Sequence, residues 1–380
     1  MRTFSISDDQ ALAPIQLPQL PWENLVGRLE SLVLDIRTFD AGLEASGLTD
    51  GWQSRCDMTE AARALMLDGQ LVDLGDIVLH DAGMDVRSPT HELTRAAAAL
   101  RARRTVMVRK PPWPLSIDGI TALRGIASVQ NDAAAPRNAA AKRVSASASD
   151  AALYDDEDPW LGHFADIDAL LDRTSQVLAG EIPLAKSRST LVYDEDEDEM
   201  TKEDLWLDVV HRTRHWPALA AAALAWDAWT NLHLHQRQPW LGLILAGAIL
   251  RTRGVTSRLL PLASGYKTAK YRPTGRETPA QKIEGFCQIV SEALTHGQKD
   301  LERLSLARDL MNRVTRTCRS HSKLPDVVSL FLSRPLVTVA LAAKLLQVTP
   351  KAVDLMLVQL GGALPRELTG RRRYRAWGIV

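Results

Sequence analysis

Four arginines fall within five positions near the end of the chain, Arg371, Arg372, Arg373 and Arg375, in the segment RELTGRRRYRAWGI. A guanidinium is always charged and presents a planar fork of donors, so such a cluster suits phosphate oxygens or a minor groove. The segment has the shape of a β-hairpin with Gly370 at its tip, which would carry these groups on a projecting wing.

Histidines offer a different chemistry. His211 and His215 in HRTRH stand four apart, as zinc ligands do on one helix face, but the glutamate of HExxH is missing and no metal site is predicted. His233 and His235, in the loop HLHQRQPWLG, would coordinate an ion together only from extended backbone. Their expected role is a polar lip capping the apolar helix that follows.

Charge runs give less. Tyr193 to Met200, YDEDEDEM, lacks the glycine turn of a calcium loop. It reads as a solvated loop whose carboxylates favour the positive end of a helix starting near Thr201, with Asp204 three residues on. The basic run RARRTVMVRK, Arg101 to Lys110, would suit a phosphate backbone or an acidic partner, and is expected as a solvated face. No GxGxxG, GxxxxGK[ST] or GxSxG occurs, so dinucleotide, P-loop and serine-hydrolase chemistry have no support.

The elements that must position the arginines lie just before them. In VTVALAAKLLQVTPKAVDLMLVQLGG, Thr338 is placed to cap one helix, and Thr349 with Pro350 at the first helical position to cap a second. Three or four residues separate the two helices. With Ala343 at the crossing, Ala342 and Leu346 precede the turn, Val348 sits in it, and Val353 and Met356 follow, the apolar pattern of a helix-turn-helix. A basic hairpin behind it makes a winged helix. Thr338, Thr349, Lys351, Asp354 and Gln359, with the four arginines, are the candidate DNA-binding residues, while Leu355 and Leu357 are expected to face outward. So few polar groups for base edges leave protein contact or dimerisation as the competing use of this module.

The rest of the chain is predicted to be mainly α. Alanine and leucine abound, β-branched runs are scarce, and ENLVGRLESLVLDIRTFDAGL puts Leu25, Leu29, Leu32 and Ile36 on one stripe. A chain of 380 residues, 46% apolar and 24% charged, suggests two or three domains. We divide it into a helical N-terminal region (1–129), a flexible linker poor in large apolar residues (130–150), a helical middle domain (151–323) and the winged helix (324–380). Ten tryptophans in a chain with only 5% aromatic residues are expected to anchor helix contacts.

Charge sums to zero but is uneven: residues 151–200 carry 14 Asp or Glu against three Lys or Arg, and residues 325–380 carry eight Lys or Arg against three Asp or Glu. The basic end fits a nucleic-acid partner. Cys56, Cys287 and Cys318 lie far apart with no CxxC pair, which argues against a disulfide framework or a zinc knuckle and for a reducing compartment. The first residues lack an apolar run of signal-peptide length, and Leu241 to Leu250 is too short to span a bilayer, so a cytoplasmic protein without membrane contact is expected. No cofactor or metal is predicted.

Two resemblances add to this reading. A helical N-terminal layer, a helical middle domain and a terminal winged helix resemble the Fic-domain proteins of bacteria. Their N-terminal segment runs from Glu-Ala to an apolar residue followed by Glu and Gly; here EAARALMLDG, Glu60 to Gly69, carries Asp68 at the acidic place and Ala64 where Ser or Thr usually stands. Their signature is a His-Pro-Phe loop leading through Asp-Gly-Asn-Gly-Arg into a helix, and LAAAALAWDAWTNLHLHQRQPWLGLILAGAILRTRG matches the apolar frame on both sides. With His235 at the family's histidine, Gln236 and Arg237 replace Pro and Phe and Pro239 replaces the metal-binding acid. Trp240 and Leu241 then replace Gly and Asn, Gly242 is kept, and Leu243 replaces the phosphate-binding Arg. Nucleotidyl transfer needs donors around the phosphates that Leu241 and Leu243 cannot supply, so the resemblance implies a Fic-like scaffold without Fic catalysis.

Over most of the chain outside the linker, QPWLG, RTRGVTSRLLPL, LSRPLVTVALAAKLLQVTPKA and ELTGRRRYRAWGI are similar to a family of rhizobial, often plasmid-borne proteins. These pair a middle domain of unknown function with a C-terminal helix-turn-helix DNA-binding domain, which implies DNA binding and a bacterial source. The expected function is a transcriptional regulator or plasmid-associated factor binding double-stranded DNA, not an enzyme, with a body that dimerises or senses a ligand. The alternative is a degenerate Fic-type transferase with His235 as base, acting on a nucleotide or related phosphate.

Overall fold

Apolar residues three or four apart make α1 (Trp22–Ser46): Leu25, Leu29, Leu32, Ile36, Phe39 and Leu43 are buried along one face, and the helix stops where Gly47 takes a left-handed φ of 67°. The structure, a computed structural model, describes residues 15–84, 88–133, 195–236, 238–316, 318, 322–369 and 375–379. Within them the chain is mainly α, with one small sheet near the C-terminus.

α2 (Thr49–Leu65) is buried almost all round and includes Gln53, Asp57 and Glu60 among its buried residues. α3 (Leu74–Asp81) is capped by Asp73, whose side chain accepts from the Gly75 N–H, and α4 (His91–Val108) by Thr90, which accepts from Leu93. α5 (Ile117–Ala133) carries helix into the first residues of the stretch 130–150; the remainder of that expected linker lies outside the described residues.

After residue 194 come α6 (Glu195–Arg212), α7 (Ala218–Asn231), α8 (Leu241–Thr252), α9 (Leu262–Thr268) and α10 (Pro279–Thr315). Two expectations change here. The acidic run is not a loop before a helix at Thr201, because α6 already begins at Glu195. α6 also ends at Arg212, so His211 and His215 do not share a helix face. Instead Arg214 lies between them, its Nε donating to His215 Nε2 and its Nη1 2.8 Å from His211 Nε2.

The helices before and after residues 134–194 share one core. Met1–Ala134 and Glu199–Val380 form one compact unit, and a single hydrophobic cluster joins residues of α1 through α10. α8 is buried from Leu241 to Leu250, as an all-round apolar helix must be. Trp52, Trp206, Trp229 and Trp240 are among the largest fully buried side chains. Trp52 ties α2 to α10 by donating its indole N–H to Gly297 O at 2.9 Å, and Trp206 ties α6 to α7 through Ala225 O at 2.7 Å.

α10 runs for 37 residues, started by a capping box of Thr278 and Gln281 and by Pro279. At about 1.5 Å per residue it is roughly 55 Å long. It therefore serves two cores: Ile283 to Leu304 lie in the body cluster, and Met311 lies in a second cluster with α11 (Leu324–Ser333), α12 (Val339–Leu346) and α13 (Pro350–Leu360). β1 (Val337–Thr338), β2 (Arg366–Glu367) and β3 (Ala376–Gly378) form an antiparallel sheet in the order β1-β3-β2, with Thr338 facing Ala376 and Glu367 facing Trp377. No helix among the described residues is long and apolar enough to cross a membrane.

Candidate nucleic-acid interface

Local chemistry sets the two helices of the C-terminal module. Thr338 Oγ1 accepts from the Leu341 N–H at 3.1 Å and Thr349 Oγ1 from the Ala352 N–H at 3.2 Å, each closing an open helix start. Both hydroxyls thus serve as caps. Between the helices Gln347 takes φ 54°, and the Val348 N–H returns to Ala343 O at 3.1 Å, which makes the turn. Ala342, Ala343, Val353, Met356, Leu357 and Leu360 pack with Val327, Phe331 and Trp377 beneath it. Leu357, expected to face outward, is buried at 6% exposure; the helix turns it inward beside Met356.

The outer face of α13 presents Lys351, Asp354, Leu355, Val358 and Gln359. Gln359 Nε2 also donates to Cys318 Sγ at 3.2 Å, across to the segment after α10. Strands β2 and β3 are the two sides of the predicted wing. Arg371, Arg372 and Arg373 lie outside the described residues, but Arg375 is described. Its Nη2 and Nε donate to Glu367 Oε2 at 2.6 and 2.9 Å, and it stacks 4.9 Å from the Trp377 ring centre. The bonded guanidinium holds the Glu367 carboxyl below its ordinary range. Arg375 thus braces the wing from within, and Asp354 on α13 is close enough to act on its charge.

The residues of the loop before α8 are placed differently from the expectation. Among His235, Pro239, Trp240 and Gly242, no side chain caps α8, whose N-cap is Trp240 without a side-chain bond. His235 takes φ 47° and His233 φ 52°, a left-handed backbone that costs each about 1–2 kcal/mol. His235 is 6% exposed, with Nδ1 3.2 Å from Glu199 Oε2 and Nε2 2.9 Å from Glu203 Oε1, both on α6. The second approach is off line for a hydrogen bond, and it leaves His235 Nε2 and Glu203 Oε1 buried without a hydrogen-bond partner. Leu234 and His235 are buried, His235 against α6, while His233 and Gln236 stay exposed.

Gly242 lies under a ring: a Cβ there would stand 2.5 Å from Trp229 Cδ1. Its role is close packing. Gly242→Ala is expected to destabilise the protein by about 1–3 kcal/mol through overpacking, read as a lower denaturation midpoint with unchanged slope.

The acidic N-terminal motif is likewise engaged. Asp68 pairs with Arg95, and Glu60, at 2% exposure, accepts from the Ala263 and Ser264 N–H groups at 2.8 Å, capping α9 from α2. Within the basic run, Arg103 is 3% exposed and bound to Asp57, Arg104 pairs with Asp81, and Arg109 lies over Trp113. Arg103 therefore serves the core, whereas Val108, Arg109 and Lys110 at the end of the run are exposed, as a solvated face would be. Burial pushes the Cys56 thiol well up and that of Cys287 up to about 12. Among the described residues no three His, Cys, Asp or Glu side chains are arranged to hold a metal ion.

Sequence reading missed Arg55, whose partners lie hundreds of residues away, and Val358. The latter had a signal, since 351, 354, 355 and 358 repeat a helix face.

Comparison with known proteins bears on the whole chain. Residues 191–316 match a family described as a protein of unknown function (DUF1612), and residues 324–380 match one described as an HTH DNA binding domain. The second match spans α11, the two capped helices and the wing. The chain is also 36% identical over 360 residues to the uncharacterized protein y4cF of Sinorhizobium fredii (strain NBRC 101917 / NGR234), covering 90% of this chain and 93% of that one. The chain therefore belongs to the family of that rhizobial protein, and within it a DUF1612 domain is followed by a C-terminal helix-turn-helix DNA-binding domain.

Proposed function

We propose that this protein is a regulator or plasmid-associated factor that binds double-stranded DNA selectively and performs no catalysis of its own. The observation that carries the reading is the module at 324–380: two threonine-capped helices, the second with an open outer face, backed by a hairpin whose tip sequence is GRRRYR. α13 lies in the major groove, Lys351 and Asp354 meet base edges or phosphates, and the wing arginines grip the backbone.

So few polar base-reading groups favour two copies on two half-sites, which doubles the contacts and adds spacing as a source of specificity. The body is best read as non-catalytic. His235 is buried between two glutamates, and the anion-binding positions of a Fic loop are filled by Leu241 and Leu243, both buried. In this reading the helical body mediates dimerisation or senses a ligand.

The test is binding of the full-length protein to random and rhizobial genomic and plasmid duplexes across a salt series. Tight binding to a few fragments is expected, whereas weak attraction seen only at low salt would overturn the reading. In the same assay, changing Arg371, Arg372 and Arg373 together to Ala should weaken binding to every sequence. It should flatten the salt slope by roughly 0.9 per lost phosphate contact, close to 3 in all.

A further inference from the structure

The outer face of α13 is unusual for a DNA-reading helix because its middle is aliphatic. Leu355 is 63% exposed and Val358 77% exposed, although Val353, Met356, Leu357 and Leu360 on the same helix are buried. The helix could have hidden these two side chains only by turning its core face outward. Lys351 and Asp354 extend the same face toward the N-terminus. Exposed Lys344 on α12 and the basic wing bring positive charge to the same module, which fits a polyanion better than an apolar partner. With Leu345 on α12, 43% exposed, three large aliphatic side chains of the module are exposed among the described residues, far short of the roughly 20–30 residues a side that a protein interface draws on.

Leu355 and Val358 are three residues apart, a rise of roughly 4.5 Å, closer to one base step of about 3.4 Å than to two. An aliphatic group in the major groove meets one favourable feature, the thymine 5-methyl. Against the other bases it would strip water from donors or acceptors and offer nothing in return.

We propose that Leu355 and Val358 read the methyl groups of thymines on neighbouring base pairs in the duplex bound by α13. This rests on the DNA-binding reading above and specifies what the site recognises.

The experiment uses the full chain. A bound duplex is selected from random sequence and mapped, and each thymine in it is replaced by uracil, which removes the methyl and keeps the hydrogen-bonding edge. Uracil at a contacted position should weaken binding about fourfold, the value of one buried methyl, and at both positions by tenfold or more. Leu355→Ala or Val358→Ala should weaken binding to thymine DNA and abolish the uracil penalty at one position only. Selective binding that is indifferent to uracil would overturn the thymine reading and leave DNA binding standing. Alanine variants that lose affinity equally on both DNAs would also overturn it. If the unaltered protein selects no duplex, the DNA-binding reading fails and this one with it. Sedimentation of the Leu355→Ala and Val358→Ala proteins then shows whether the face joins two copies instead.

Discussion

Arg103→Ala should cost about 3–5 kcal/mol of stability, a large share of the 5–15 kcal/mol typical of a folded domain. Arg103 Nε lies 2.9 Å from Asp57 Oδ1 and Nη1 3.5 Å from Glu60 Oε2, with all three side chains at most 4% exposed. Its Nη2 donates to Leu259 O at 3.3 Å, and Gln53 donates to the same Asp57 oxygen at 2.8 Å. Burial alone would lower the pKa of Arg103, but Asp57, with Cys56 and Glu60, more than offsets it. Truncation strands two carboxylates in the core, and a buried charge without its partner is far more costly than the pair was worth. The half-exposed Arg104–Asp81 pair is the internal control, since Arg104→Ala should cost at most about 1 kcal/mol. Chemical denaturation of both variants decides the matter: equal losses would mean that the Arg103 cluster is not the buried ionic tie described.

Arg55→Ala should uncouple the winged helix from the body. The Arg55 guanidinium donates to Ile379 O at 2.7 Å, Phe331 O at 2.6 Å, Leu332 O at 2.9 Å and Arg334 O at 2.8 Å. Three of these carbonyls close the end of α11, where a cation also meets the negative end of the helix dipole. Burial lowers the Arg55 pKa to about 10, so the group stays charged at neutral pH. Hydrogen bonds from a charged donor are worth about 1.5–3 kcal/mol each and do not add fully, so a loss of roughly 3 kcal/mol or more is expected. Calorimetry should show two transitions in the variant, with the winged helix melting first, where the unaltered protein is expected to show one. Gly51→Ala attacks the same contact by sterics, because its Cβ would stand 1.9 Å from Leu332 O and force α2 and α11 apart. If either variant still melts in one unshifted transition, α10 and its two cores are what couple the parts.

Much of the C-terminal module was legible from residues alone. Helix caps, the short turn and alternate burial along α13 depend on neighbours three or four positions away, and Thr338, Thr349 and Val353 take their expected places for that reason. The same local rule misplaced Leu357, since a helix with apolar groups on two faces does not say which face the core will take. It also misjudged residues whose meaning is set at a distance. Arg103 looked like part of a solvated basic run, and Glu60 like the first letter of a motif, until packing set them together beneath α9.

The sequence by itself determined a mainly helical chain ending in a capped helix-turn-helix with a basic hairpin, because periodicity and capping are properties of adjacent turns. Only the tertiary structure decided that Arg103 is a core ion, that Arg55 clasps the winged helix, and that His235 lies between Glu199 and Glu203. Those partners lie between 32 and 324 residues away along the chain. The energy of a charge depends on whether burial removes its water and which groups replace it, and that is settled only when distant segments pack.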